Sequence, residues 1–258
     1  MSNDVIMKDY AKQLSRIATS LAVADNDVVI GDVVAGQPFE RVGMFTSGNL
    51  DKRTDKLNDQ LEMFEKDFED LPALVDQYVR SVPLAAYDTG TSDTDRFVRW
   101  LPTVVELSPE QRDLSMVIRS RFAVEEAGRR NRMNHVRFQE LVSLNDRLSA
   151  ELETNSALRI HLNPLRTRAV FETGLLTGED AEDVPESGIE VVFFAFQNEV
   201  RTAILETEGR ALVQTLADVG PCRLSNLQVR HDLTTSLDEE TLLEMLIDCS
   251  DVGLIAFS

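Results

Sequence analysis

Cys222, His231 and Asp232 stand in the order thiol, imidazole, carboxylate, the set from which a nucleophile, its base and an orienting group can be assembled. A turn would have to bring them together, and no nucleophile signature surrounds Cys222. Metal chemistry has as little to build on. His135, His161 and His231 lie far apart, and none has a second His or a Cys at ligand spacing. The segment "TGEDAEDVPESG" at 177–188 concentrates carboxylates but lacks the alternating Asp/Asn ligands and central Gly of a calcium loop, so it reads as a solvated acidic loop. "GDVVAG" and "GLLTG" lack the spacing and the Lys-Ser/Thr ending of a phosphate-binding loop. No catalytic, metal or cofactor residue is assigned on this basis, and Cys222 and Cys249 are expected as buried, reduced thiols.

The residues that do form a pattern are charged and apolar. In "EEAGRRNRMNHVRFQELVSLNDRLSAEL", residues 125–152, Arg129, Arg130, Arg132 and Arg137 run into leucines spaced seven apart. A DNA-reading basic helix presents an unbroken positive face to phosphates, whereas here Glu125 and Glu126 directly precede the arginines. A solvated face, or arginines paired with acidic segments of the same or a partner chain, fits better. A heptad assignment puts Val117, Val124, Asn131, Phe138, Asn145 and Leu152 at one core position, and Ser120, Ala127, Asn134, Leu141 and Leu148 at the other. Only Phe138, Leu141, Asn145, Leu148 and Leu152 resemble a coiled-coil seam, in which a buried Asn145 would fix register and copy number. The next leucine position is Asn155, so the seam spans two heptads, too few to hold a dimer unaided. These five residues, with Arg129, Arg130 and Arg132, are the predicted interaction surface.

Charge narrows the choice of partners further. The chain of 258 residues carries a net charge of -19, and its segments differ: residues 1–107 hold 11 Lys+Arg against 19 Asp+Glu, residues 108–170 hold 11 against 8, and residues 171–258 hold 4 against 18. A surface this acidic repels phosphate polymers and anionic headgroups. Nucleic acid and membrane partners are therefore not expected. The start, "MSNDVIMKDYAKQL", lacks the positive charge and apolar run of a signal peptide, and "VVFFAF" at 191–196 is too short to span a bilayer. A cytoplasmic, soluble chain is the expectation.

The elements that must position these residues follow from periodicity. Ile6, Tyr10, Leu14, Ile17 and Leu21 share a helical face; "VVIGDVVAG" and "FERVGMF" read as a small hairpin over 27–45. From Leu50 the helical period returns through Leu57, Leu61, Phe64 and Phe68, then through Leu74, Val75, Tyr78, Val79 and Val82 after Pro72. Ser92 with Asp95 caps a short helix carrying Phe97, Trp100 and Leu101. "LSPEQ" is a capping box: Ser108 as N-cap, Pro109 where its missing N–H costs nothing, Gln111 reaching back. Unbroken from 109 to 153, the helix it starts would be about 67 Å long at 1.5 Å per residue, with Gly128 its one weak point. Beyond the acidic loop, "IEVVFFAF" reads as a buried strand, 198–217 as a helix, "CRLSNLQVRHDL" as a strand, a helix capped by Ser236 and Glu239 follows, and "VGLIAF" ends as a strand.

The predicted fold is helix-rich α+β: an α-rich region over 1–107 with its hairpin, a long central helix over 108–157, and a small C-terminal α/β unit over 158–258. With no catalytic constellation, the leading expectation is a scaffold, adaptor or assembly subunit whose central helix docks a protein partner or another copy of itself. The alternatives are a regulatory or sensing module binding a small molecule at the carboxyl ends of the C-terminal strands, and an enzyme whose site no motif betrays.

Overall fold

Phe39–Gln60 forms the first helix (α1) of the computed structural model, which describes residues 39–64, 68, 70–82, 91–178, 184–228 and 238–258. The helix predicted at 4–22 and residues 27–38 of the predicted hairpin lie outside these residues. Residues 39–45, predicted as strand, are helical instead. Phe39, Val42 and Phe45 are three apart and fit a helical period as well as a strand, so the helix that follows extends backward through them.

The chain divides into two compact units, Met1–Leu114 and Ser115–Ser258. In the first, α1 leads through a single 3-10 turn (Glu62–Phe64) to α2 (Leu71–Ser81) and α3 (Asp93–Trp100). The predicted apolar faces are the core: Leu57, Leu61, Phe64, Phe68, Val75, Tyr78, Val79 and Phe97 are buried. Ser92 caps α3 by accepting from the Asp95 N–H at 3.0 Å. Arg53 of α1 is buried and holds Asp93 through both arms, Nε to Oδ2 at 2.6 Å and Nη2 to Oδ1 at 2.8 Å, while Nη1 donates to the Val82 carbonyl at 2.7 Å. Tyr78 donates to Asp93 Oδ1 at 2.8 Å. Burial works against the Arg53 charge, yet Asp93 more than offsets it and its pKa stands above the ordinary value. This network ties three helices together.

The predicted central helix starts where its capping box places it: Ser108 N–H donates to Gln111 Oε1 at 2.9 Å and Gln111 N–H to Ser108 Oγ at 3.3 Å. It is three helices, however: α4 (Pro109–Arg130), α5 (Arg132–Val142) and α6 (Asn145–Ser149). The first break falls at Asn131, close to the weak point foreseen at Gly128, and the second at Ser143–Leu144. Asparagine favours turns because its side chain competes for backbone hydrogen bonds.

The second unit holds two three-stranded antiparallel sheets. One has the order β2-β3-β4, with β2 Arg166–Phe171, β3 Ile189–Phe196 and β4 Glu199–Ile204. The continuous apolar run of β3 is buried on both faces, as its composition predicts: Val191 and Phe193 pack with Val117 and Val124 of α4, while Val192 and Phe194 pack with Leu205, Val213 and Leu254. The predicted helix over 198–217 is corrected. Residues 199–204 are β4, paired with β3 across a two-residue turn, and the helix is α7 (Thr207–Val219). The turn sequence Gln197-Asn198 has no glycine to announce it, although Gln197 takes a φ of 53°. Gln139 Oε1 of α5 accepts from the Gln197 N–H at 3.4 Å, and His135 Nε2 lies 3.2 Å from its carbonyl.

The other sheet has the order β5-β1-β6, with β1 Arg159–Leu162, β5 Cys222–Arg223 and β6 Ile255–Phe257. Its core joins Ile160, Ile255 and Phe257 to Leu148, Leu152, Leu212, Leu216 and, from α9 (Glu239–Asp251), Leu242 and Leu246. Here too a prediction is revised: after Cys222–Arg223 the chain turns into a short helix, α8 (Leu224–Gln228), rather than continuing as strand. Asp238, not Ser236, caps α9 through the Thr241 N–H at 2.8 Å; Ser236 lies outside the described residues. Among the described residues every strand pairing is antiparallel, so the unit is α+β and these strands form no parallel-sheet crevice at their carboxyl ends. Among the described residues no helix is long and apolar enough to cross a membrane.

Candidate functional site

The predicted seam is where the structure departs furthest from expectation. Asn145, Leu148 and Leu152 are buried inside the second unit, and Phe138 is buried beside them in sequence; Leu141 is half-buried. Asn145 spends its amide within the chain. Its Nδ2 donates to the carbonyls of Ser250 and Ile255, both at 3.1 Å, and its Oδ1 accepts from the Phe257 N–H at 3.1 Å. On β6 the groups of Ala256 and Ser258 face β1, so those of Ile255 and Phe257 point to the open edge. The Asn145 amide thus takes the place of a neighbouring strand residue and closes that edge. Arg129 and Arg130 both pair with Glu126, at 2.9 and 2.8 Å. Arg132 is exposed and makes no ion pair among the described residues.

A concave site lies next to these residues. α5 presents Asn134, Arg137, Phe138 and Leu141 on one face, at steps of three, one and three. Opposite stand His161 and Leu162 of β1 and, after the turn at Pro164, Arg166 at the start of β2. Leu216 and Ala217, in the last turn of α7, and the Gly220-Pro221 turn close the third side. The cleft measures about 560 Å³ and is mainly apolar. That is within the range of about 300 to 1,000 Å³ in which small-molecule sites fall.

Its charges are all of one sign. Among the described residues no Asp or Glu lines it, whereas Arg137 and Arg166 do. Arg137 has no hydrogen-bond or ionic partner among the described residues. Arg166 is half-buried and anchored by one arm, Nη1 donating to the Asn163 carbonyl at 2.6 Å. Burial and the neighbouring Arg168 hold its pKa below the ordinary value; a guanidinium remains charged at neutral pH regardless. Other arginines of this unit find carboxylates: Arg168 and Arg210 both meet Glu190, and Arg201 meets Glu199. His161 lies 2.8 Å through Nε2 from Ser258 Oγ, and burial with the nearby Arg159 charge lowers its pKa, which keeps it neutral at neutral pH.

Asn163 sets the geometry of the cleft floor. Fully buried, it donates from Nδ2 to the carbonyls of Ala195 at 2.8 Å and Gly253 at 3.2 Å, and accepts at Oδ1 from the Leu165 N–H at 3.0 Å. One residue therefore fixes the β1–β2 turn, the end of β3 and the approach to β6, and its own carbonyl holds Arg166. The Asn163-Pro164 pair is a turn signal in the sequence. Nothing in the sequence shows that Arg137 and Arg166 meet.

The remaining chemical candidates stay apart. Cys222 is buried and Cys249 half-buried, both as free thiols, and burial pushes the Cys249 thiol up to about 11. His231 and Asp232, the proposed companions of Cys222, lie outside the described residues. Among the described residues no group of three or more His, Cys, Asp or Glu is placed to hold a metal ion. In comparisons with protein families, curated proteins and solved structures, the chain matches none.

Proposed function

We propose that the C-terminal unit is a small-molecule-binding module, regulatory or sensing in role, and that its ligand is an organic anion seated between α5, β1 and the end of α7. The observation that carries this reading is the pair Arg137 and Arg166, two guanidinium groups without a carboxylate partner among the described residues, in a concave, mainly apolar cleft of a chain with net charge -19. A protein with 45 acidic residues has ample means to neutralise two arginines. Leaving the half-buried Arg166 charged beside an apolar cleft has an electrostatic cost that a bound anion removes, and the exposed Arg137 adds a second positive charge at the same cleft.

The test is a thermal-shift panel of organic anions, cations and neutral compounds on the full chain and on Ala217→Trp. Ala217 is exposed at the cleft wall, so the larger side chain fills the site without entering the core. A ligand that binds only the folded state raises the melting temperature. Stabilisation of the wild type by anions and its loss in the variant supports the module; equal responses of the two proteins across the panel rule it out.

The scaffold or adaptor reading, with self-association through α5, keeps one supporting observation now that the seam residues are occupied within the unit. Met133 and Val136, three apart on α5, are 65% and 43% exposed beside Arg132. Light scattering on wild type and a Met133→Glu, Val136→Glu double variant decides it: an oligomer that the variant dissociates supports association, and a monomer at every concentration removes it.

A further inference from the structure

Resting on the reading of the cleft as a ligand site, we infer that its ligand class is an amphiphilic monocarboxylate, a single carboxylate on an aliphatic or aryl body, held by Arg166 and Arg137 with its body against Phe138, Leu141, Leu162 and Leu216. The carboxylate follows from which donors are free. With Nη1 of Arg166 committed to the Asn163 carbonyl, the Nε and Nη2 edge is left, and these two parallel N–H groups match the two oxygens of a carboxylate. Arg137 adds a second charge from α5 across the cleft.

The apolar body follows from the walls. Leucine, proline, alanine and phenylalanine make up most of the lining, and a small polar anion would leave that surface facing water. A phosphate dianion is disfavoured for a related reason. It would bring two charges into a half-buried apolar cleft that offers two guanidinium groups, one already sharing its donors with a carbonyl, and desolvating it costs more than desolvating a monoanion. Neutral His161 adds no third charge to offset this.

Calorimetric titration of the full chain with hexanoate, octanoate and decanoate tests the class, with octyl phosphate, octanol and octylamine as comparisons. One site per chain is expected, with affinity rising by about fourfold per added methylene until the cleft is filled. Octanoate should bind more tightly than the phosphate, alcohol or amine. Arg166→Gln and Arg137→Gln should each weaken octanoate by about tenfold or more, the usual worth of a charged hydrogen bond. Because Arg166 also anchors a turn, the Arg137 variant, at an exposed position with no protein partner, keeps the test independent of folding. Arg132→Gln, on the same helix but outside the cleft, should leave affinity unchanged. Octyl phosphate or octanol binding as tightly as octanoate, octanoate binding that survives the loss of both arginines, or no binding of any carboxylate would each overturn the class. The module itself would then stand or fall on the Ala217→Trp comparison.

Discussion

At the scale of single residues, two buried asparagines hold backbone segments of the second unit together. Asn145 and Asn163 both spend their side-chain amides on backbone groups, those of Ile255 and Phe257 at an open sheet edge among them. Replacing Asn145 by leucine strands the Phe257 N–H and the Ile255 carbonyl, and each such buried group costs about 1 to 3 kcal/mol. Asn145→Leu should therefore lower stability by about 2 to 5 kcal/mol in denaturant unfolding. A coiled-coil seam demands the opposite, a leucine there that strengthens association. An unchanged or raised midpoint would refute the edge-closing role. His161 gives a prediction in pH. Its folded pKa is depressed below the ordinary 6.5 by burial and by Arg159, so the unfolded chain binds a proton first. Stability attributable to His161 is then complete above about 6.5 and falls as pH drops through the folded value. Among the described residues, Arg137 and Arg166 are the charged side chains that line the same cleft as His161. The check is the difference in melting temperature between wild type and His161→Gln across this window, which should narrow as pH falls.

Among the elements, what was legible was local. The Ser108–Gln111 box and the Ser92 cap are formed as the sequence predicts, because each partner lies within one turn of the other. β3 was legible from composition alone, since a strand buried on both faces must be apolar at every step. The first break in the central helix was legible only as the nearby weak point at Gly128; the second was not, since neither Pro nor Gly stands at Ser143–Leu144 and α6 ends up where Asn145 is held by residues more than a hundred positions away. β4 was hidden because "EVRTAI" also suits a helix and its turn lacks glycine. Where a glycine is required, it makes a sharp prediction. Gly253 closes α9 with φ +82°, and a Cβ placed on it would lie 2.1 Å from Cδ2 of the Phe196 ring. Phe196 in turn carries the Arg201 guanidinium 3.8 Å above its ring. Gly253→Ala combines the cost of a left-handed backbone, about 1 to 2 kcal/mol, with that of overpacking, about 1 to 3 kcal/mol. A loss of about 2 to 5 kcal/mol is expected, together with a change in the Phe196 ring resonances. Wild-type stability in this variant would show that the ring moves aside freely.

For the molecule as a whole, the question is how a chain of net charge -19 can attract an anion at all. Charges separated by more than a Debye length of about 8 Å are largely screened at physiological salt, so a small ligand inside the cleft feels Arg137 and Arg166, which line it, far more than carboxylates beyond that distance. A polyanion has no such shelter. It spans many Debye lengths along the surface, meets the acidic segments as well as the arginines, and cannot enter a cleft of about 560 Å³. The one stretch whose composition suggested phosphate contacts is further weakened by its own pairings, Glu126 neutralising part of Arg129 and Arg130. Arg132 and Arg137 remain on α5, too few for polymer binding, which draws its affinity from releasing many counterions at once. The intact protein should therefore pass through heparin and DNA columns without retention above about 0.2 M salt, where phosphate contacts of this kind weaken steeply. Octanoate affinity, depending on short-range contacts with Arg137, Arg166 and the apolar walls, should change little over the same salt range. Retention at that salt, abolished by Arg132→Gln, would mean that the exposed arginines act together as a phosphate-binding face and that the global charge does not govern encounter.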